Sequence, residues 1–286
     1  MSEGSWCLPS YASLLTGHVP EIHGLYTNLP ARKLPAFEST LATELRNAGY
    51  KTALFSGGVY LLPAWGLVKG FDTYNNIFST TTPGRIPAPF EDNLEAVLGW
   101  VEQNKNADKP FFLFATIDDL HTPYHSPDPD KYDPGYKGIV HDPDILSVPF
   151  SRAYNGQASG YPESMKQKVE EFKSGPRHLE HMTAHYDAAL NNVDKQIGEF
   201  LKKMREMGIE DNTVLIISAD HGEMLGEKGL INHTQSLYEP VLHVPLIVRD
   251  PASPGASGKR FKQLVQRIDL MPTILEMAGV SQYGLG

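Results

Sequence analysis

The chain has 286 residues, 41% of them hydrophobic and 21% charged, with a formal charge of −9. Such a composition suits a globular protein with a sizeable core and excludes disorder, collagen and coiled coil. The acidic balance argues against a nucleic-acid surface, and a single cysteine rules out an intramolecular disulfide framework. No apolar run approaches the ~20 residues of a membrane helix, and no signal peptide is visible, so localisation stays open.

Pro9 near the start of an apolar stretch, with Gly17 after it, predicts a short helix with Cys7 at or near its N-cap. The positive end of a helix lowers a thiol's pKa and attracts an anionic ester, although a lone cysteine is more commonly buried and inert. Leu41, Ala42 and Leu45 share a helical face closed by Gly49, and a short strand follows at Thr52–Phe55. Leu94, Val97, Leu98 and Val101 repeat at i, i+3, i+4, i+7, which predicts an amphipathic helix over 91–104. The apolar run 111–116 has strand length. The stretch 122–178, rich in Pro, Asp, Gly and Tyr, breaks this rhythm and exceeds a usual connection. It reads as a lid or substrate-facing insertion, or else as a surface excursion. From Leu179 to Met204 the apolar positions step by three and four, so 179–206 is the clearest helix, ended by Gly208. Segments 213–218 and 244–248 read as buried strands. Asp269 reads as the cap of a last helix carrying Leu270, Ile274 and Met277. Continuous apolar strands between amphipathic helices imply an α/β fold with its sheet buried on both faces.

In open α/β sheets, ligands gather beyond the C-terminal ends of the strands. Ala219-Asp220-His221-Gly222-Glu223 follows one expected strand, and Asp118-Asp119-Leu120-His121-Thr122-Pro123 follows another. Asp220 and His221 turn toward one site only if the chain bends, which Gly222 permits. A carboxylate with an imidazole suits Zn²⁺ or Mn²⁺ better than Ca²⁺. A capping Asp beside a surface His explains that string equally well. His233 lies twelve residues past His221 and is one of eleven histidines.

Taken in order, these segments resemble the sulfatase family of the alkaline phosphatase superfamily. Ser5 to Gly17 resembles its nucleophile motif, followed by Ala48-Gly49-Tyr50-Lys51-Thr52-Ala53 and Gly70-Phe71-Asp72-Thr73-Tyr74. His121-Thr122-Pro123-Tyr124 matches a His-x-Pro element, and Tyr186-Asp187 with Val193-Asp194 matches a long helix. Asp220 to Glu227, His233, Leu237-Tyr238-Glu239, Val244 to Ile247 and Asp269-Leu270-Met271-Pro272-Thr273 complete the series.

The resemblance implies a mixed, mostly parallel sheet sandwiched between helices. It makes Cys7, or its formylglycine form, the nucleophile, and Asp220, His221 and Cys7 the ligands of one divalent ion (Ca²⁺, Mg²⁺, Zn²⁺ or Mn²⁺). His121 and His233 fall at catalytic positions, where the first protonates the leaving group, and Ser10, Tyr11 and Asp119 fall at substrate-binding ones. The implied reaction is hydrolysis of a sulfate ester on a sugar, lipid or aryl group. Two departures stand out: Tyr11 replaces the Arg of the cysteine-modification motif, and Phe55 to Tyr60 lacks the family's Lys and His. These favour, as an alternative, a phosphodiesterase or phosphoethanolamine-transferase-like enzyme. The family's opening strand and C-terminal subdomain are missing, so residues 1–286 are expected to be one truncated catalytic domain, poorly soluble and inactive by itself.

Overall fold

The computed structural model describes residues 1–26, 32–77, 88–157 and 159–280. Helix α1 (Cys7–Thr16) starts after an extended Trp6, carries Pro9 in its first turn and stops at Gly17, whose left-handed φ of 69° lets its N–H reach the Ser13 carbonyl. Leu8, Ala12 and Leu15 share a face that packs with Leu25, Leu54 and Leu61. A one-turn α2 (Pro20–His23) follows. In α3 (Leu41–Asn47), Thr40 caps the start by accepting the Thr43 N–H.

Strand β1 (Lys51–Ser56) is flanked by parallel β2 (Thr73–Asn76) and β3 (Phe111–Ala115), with α4 (Glu91–Asn104) between the latter two in sequence. Alternation along β1 divides its side chains: Ala53 and Phe55 meet Phe90 and Val97 of the α4 side, while Leu54 meets α1. This sheet is therefore covered on both faces, as expected.

The irregular stretch 122–178 holds α5 (Val148–Tyr154) and α6 (Glu163–Ser174). Its apolar residues are too scattered to show periodicity, yet Tyr124, Ile145, Phe150 and Phe172 form one cluster with Met182 of α7 (Pro176–Glu206). Helix α7 begins three residues before the expected start, because Pro176 supplies a ready first turn.

Strand β4 (Leu215–Ser218), the small pair β5 (Met224–Leu225) and β6 (Ile231–Asn232), the turn α8 (Glu239–Leu242), strand β7 (Leu246–Arg249) and α9 (Leu270–Met277) complete the fold. β4 and β7 pair antiparallel, as do β5 and β6. The expectation of buried strands fails here. β4 is half-buried, and Leu246, Ile247 and Val248 are 39%, 59% and 49% exposed, because among the described residues neither face of β7 is covered. Asp269 does not cap α9 either. Its carboxylate accepts the Gln266 N–H at 2.7 Å and closes the preceding 3-10 turn, Arg267–Asp269. No helix among the described residues is long and apolar enough to cross a membrane.

Candidate active site

β1 and β3 run side by side and end at one edge. The Thr116 N–H bonds the Phe55 carbonyl at 3.0 Å and so carries the ladder one residue past β3. The Thr116 hydroxyl donates to Asp118 at 2.6 Å, and the Gly57 N–H donates to the same carboxylate at 3.1 Å. Glycine is needed at 57: a Cβ there would lie 2.4 Å from the Ala88 carbonyl oxygen. Burial, reinforced by Asp220, pushes the Asp118 carboxyl up to about 7 despite these donors.

Past the end of β4, Asp220 and His221 turn to the same place. The bend does not require the conformational freedom expected of Gly222, which is absent from the positive-φ residues. What it requires is space. Gly222 donates to the Val241 carbonyl at 2.7 Å, and a Cβ on it would sit 2.0 Å from the Pro240 carbonyl oxygen. His221 Nδ1 lies 2.9 Å from the Gly222 carbonyl, which can only accept, so the proton sits on Nδ1 and Nε2 offers its lone pair. That Nε2 is 3.2 Å from Cys7 Sγ and 3.4 Å from an Asp220 oxygen. Burial works to raise the Asp220 carboxyl, but His221 and Arg267 outweigh it and hold the group below its ordinary value.

Cys7 is the first residue of α1 and is buried. Its thiol is pushed well above the ordinary range, first by burial and then by Asp220 and Asp118. The helix end alone would lower it, as the sequence suggested; two carboxylates in a dry site override that partial charge.

His121 and His233 extend the cluster. The ring centroids of His121 and His233 are 5.0 Å apart, and those of His221 and His233 are 4.1 Å apart. His121 Nδ1 donates to the Thr122 carbonyl at 2.8 Å. His233 Nδ1 lies 3.3 Å from both oxygens of Glu223. Burial drives the two partners toward neutrality, His233 down to about 4 and Glu223 up to about 8. His121 also falls to about 4, through burial and then the neighbouring His233. Asn232 ties the two loops together: it accepts the His233 N–H at 2.7 Å and donates to the Thr122 hydroxyl at 3.1 Å.

Cys7, His121, Asp220, His221 and His233 thus converge. Tyr11 is half-buried beside them, its hydroxyl raised well above its ordinary value by burial and then by Asp220, Asp118 and Cys7. Ser10 and Asp119 face elsewhere. The Ser10 hydroxyl donates to the Gly4 carbonyl at 3.2 Å. Asp119 accepts from the Phe90 N–H at 2.8 Å and the Gln196 amide at 3.0 Å, which fastens the start of α4 to α7. Asp118, Glu223 and Arg267 are the neighbours that sequence reasoning passed over. The alternation of Thr116 and Asp118 past β3 was an available signal for Asp118. Nothing local announces Arg267, which is buried and donates to the Ser10 carbonyl at 2.6 Å and the Ala219 carbonyl at 3.2 Å.

The donor set fits a divalent cation. Ligand atoms of Cys7, His221 and His233 lie within 4.8 Å of one another, with Asp118 and Asp220 coupled to the same thiol. Sulfur, imidazole and carboxylate together suit a zinc-class ion, and buried acidic groups held in their protonated form would be relieved by it.

A family model described as Sulfatase matches residues 1–280. The chain is 26% identical over 304 residues to an extracellular sulfatase SULF-1 homolog of Drosophila melanogaster, covering 96% of this chain and 26% of the relative. It is 24% identical over 328 residues to an arylsulfatase of Clostridium perfringens, covering 96% and 65%. The chain thus spans between about a quarter and two thirds of these relatives' lengths. Among solved structures, a phosphonate monoester hydrolase of Agrobacterium radiobacter superposes with a TM-score of 0.70 at 20% identity, covering 97% of this chain and 65% of the other. A protein solved in complex with its substrate D-glucosamine-2-N,6-O-disulfate superposes with a TM-score of 0.66 at 19% identity, covering 99% and 69%. These likenesses confirm the α/β, alkaline-phosphatase-like fold.

Proposed function

Because this chain belongs to the sulfatase family, we propose that it carries the nucleophile, leaving-group acid and metal ligands for hydrolysis of a sulfate ester, within a single catalytic domain. The observation that carries this reading is the meeting of Cys7 Sγ with His221 Nε2 at 3.2 Å, at the start of α1 and beside Asp118 and Asp220. Sulfuryl transfer needs little covalent chemistry from the protein beyond an in-line nucleophile and neutralised oxygens. In this reading, residue 7, as a thiolate or as the hydrated gem-diol of formylglycine, loses its proton to solvent and forms the bond to the ester sulfur while the sulfur–oxygen bond to the alcohol breaks. His121 gives a proton to the departing oxygen from Nε2, since Nδ1 is committed to the Thr122 carbonyl. An anion bound beside that ring favours its protonated form. Sulfate then leaves residue 7, by attack of water on the sulfur of the cysteine adduct, or by collapse of the gem-diol sulfate to the aldehyde, which water rehydrates. A divalent ion held by Asp118, Asp220, His221 and residue 7 would supply charge neutralisation and lower the pKa of the nucleophile. The stretch 122–178 leaves the site at His121, so it is placed to select the alcohol. A sulfated sugar is the class we assign, on the precedent of the glucosamine disulfate complex.

A second reading, phosphate or phosphonate esters, is favoured by one observation: Tyr11 stands where the cysteine-modification motif has Arg, which argues for an unmodified residue 7. Full-length protein from its own host separates the two. The mass of the Cys7 peptide should show loss of the thiol in favour of an aldehyde. Aryl sulfate should be cleaved in preference to aryl phosphodiester with metal added, and Cys7→Ala and Asp118→Asn should each lose about 100-fold or more. An intact thiol with phosphodiester cleavage alone would establish the second reading. No turnover of either ester would leave a degenerate domain.

A further inference from the structure

Away from Cys7, a second group of metal-competent side chains lies where the 122–178 stretch crosses α7. Asp130 and His141 come from the stretch and His181 from the helix, and one ligand atom of each lies within 4.8 Å of the others. His181 is fully buried. Its Nδ1 is 3.0 Å from Asp133, so the proton resides on Nδ1 and Nε2 points its lone pair the other way. That Nε2 has no hydrogen-bond partner, although it is buried and 3.3 Å from Asp130 Oδ1. The Asp130 oxygen is buried and unpartnered as well. Two unsatisfied buried acceptors facing each other repel, and no group among the described residues donates to either.

The surroundings are those of a ligand held in place. Asp133 orients His181 from behind, as outer carboxylates orient metal-bound imidazoles, and Arg177 pairs with Asp133 at 2.6 Å and keeps it charged. Tyr136 stacks on the His181 ring with centroids 3.8 Å apart, which fixes its plane. His141 is 45% exposed, and its Nε2 lies 4.0 Å from Asp130 Oδ1 and 3.0 Å from the Tyr136 carbonyl. It joins the group by giving up that carbonyl through a turn of an exposed ring.

We propose that Asp130, His141 and His181 form a second divalent-cation site, of zinc class, that staples the 122–178 stretch to α7. Two imidazoles and one carboxylate, with water in the fourth position, match the ligands this ion takes. The proposal is independent of the chemistry at Cys7. The competing state is a protonated His181 bridging Asp130 and Asp133 with no metal.

The test is titration of metal-free full-length protein with Zn²⁺ against a chromophoric chelator, together with thermal melting. His141→Ala and Asp130→Asn lie at the exposed edge and should each remove one equivalent of tight Zn²⁺ and the Zn²⁺-induced rise in Tm. His221→Ala, which removes a ligand of the other cluster, should lose a separate equivalent, so that His141→Ala combined with His221→Ala loses two where each alone loses one. Asp133→Asn should retain the site but weaken it about 10- to 100-fold. Equal stoichiometry and equal Zn²⁺-dependent melting in wild type, His141→Ala and Asp130→Asn would overturn the site in favour of the protonated bridge.

Discussion

At the scale of single residues, Asp118 and Asp119 are neighbours with opposite fates. Asp118 faces the thiol, while Asp119 turns back to the Phe90 N–H and Gln196. Asp119 is 1% exposed, so its removal strands buried donors. Asp119→Ala should therefore cost about 2–4 kcal/mol of stability in urea melts, with KM unchanged for whatever fraction is folded. A raised KM with unchanged stability would return Asp119 to substrate binding. Sequence alone put Asp119 rather than Asp118 at the substrate, although the strand alternation continued through Thr116 favours Asp118. The Cys7 environment was misjudged for a different reason. A helix start is visible in Pro9 and Gly17, whereas the burial that outweighs it, and the carboxylates that add to it from residues 220 and 118, are set by distant parts of the chain.

At the scale of elements, legibility followed periodicity. Helices α4 and α7 repeat their apolar positions over many turns, and both stand within a few residues of where the spacing placed them. The α5–α6 region has no such repeat, since its cluster is assembled from single residues, Tyr124 and Ile145 from irregular segments and Phe172 from α6, that meet only in the folded chain. β7 shows the converse failure. Leu246-Ile247-Val248 reads as a buried strand from composition, yet all three are substantially exposed on a strand whose one described partner is β4. An open apolar strand invites pairing with another chain. Ile247→Lys should reduce concentration-dependent light scattering of residues 1–286 and change unfolding free energy by no more than about 0.5 kcal/mol. Unchanged scattering would show that this strand is not the adhesive surface.

For the molecule as a whole, part of the acid stability can be traced to a histidine outside both metal-competent clusters. His23 is fully buried, accepts the Leu25 N–H at 3.0 Å on Nδ1 and lies 3.1 Å from the Ser13 hydroxyl on Nε2. Burial lowers it to about 4, against an ordinary 6.5. The unfolded chain takes up that proton first, so the contribution is fully present above pH 6.5 and is lost as pH falls toward 4, about 3 kcal/mol in all. Urea melts at pH 7.5 and 4.5 should show His23→Asn losing less stability on acidification than wild type; equal losses would assign the acid sensitivity elsewhere. The Arg267 clamp has a consequence of another kind. It joins the Ser10 and Ala219 carbonyls, and its own backbone N–H reaches Glu3 at 2.9 Å across a sequence separation of 264. Contacts that distant close late, because the entropy of the intervening loop must be met before they return any energy. A chain ending near residue 200 has strands β1 to β3 and the Leu25, Leu54 and Leu61 seat for α1, but lacks the groups that close over the start of that helix. Residue 7 is thus packed from below by near neighbours but closed over by distant ones, His221 and the Arg267 clamp, so its enclosure is a late event of folding.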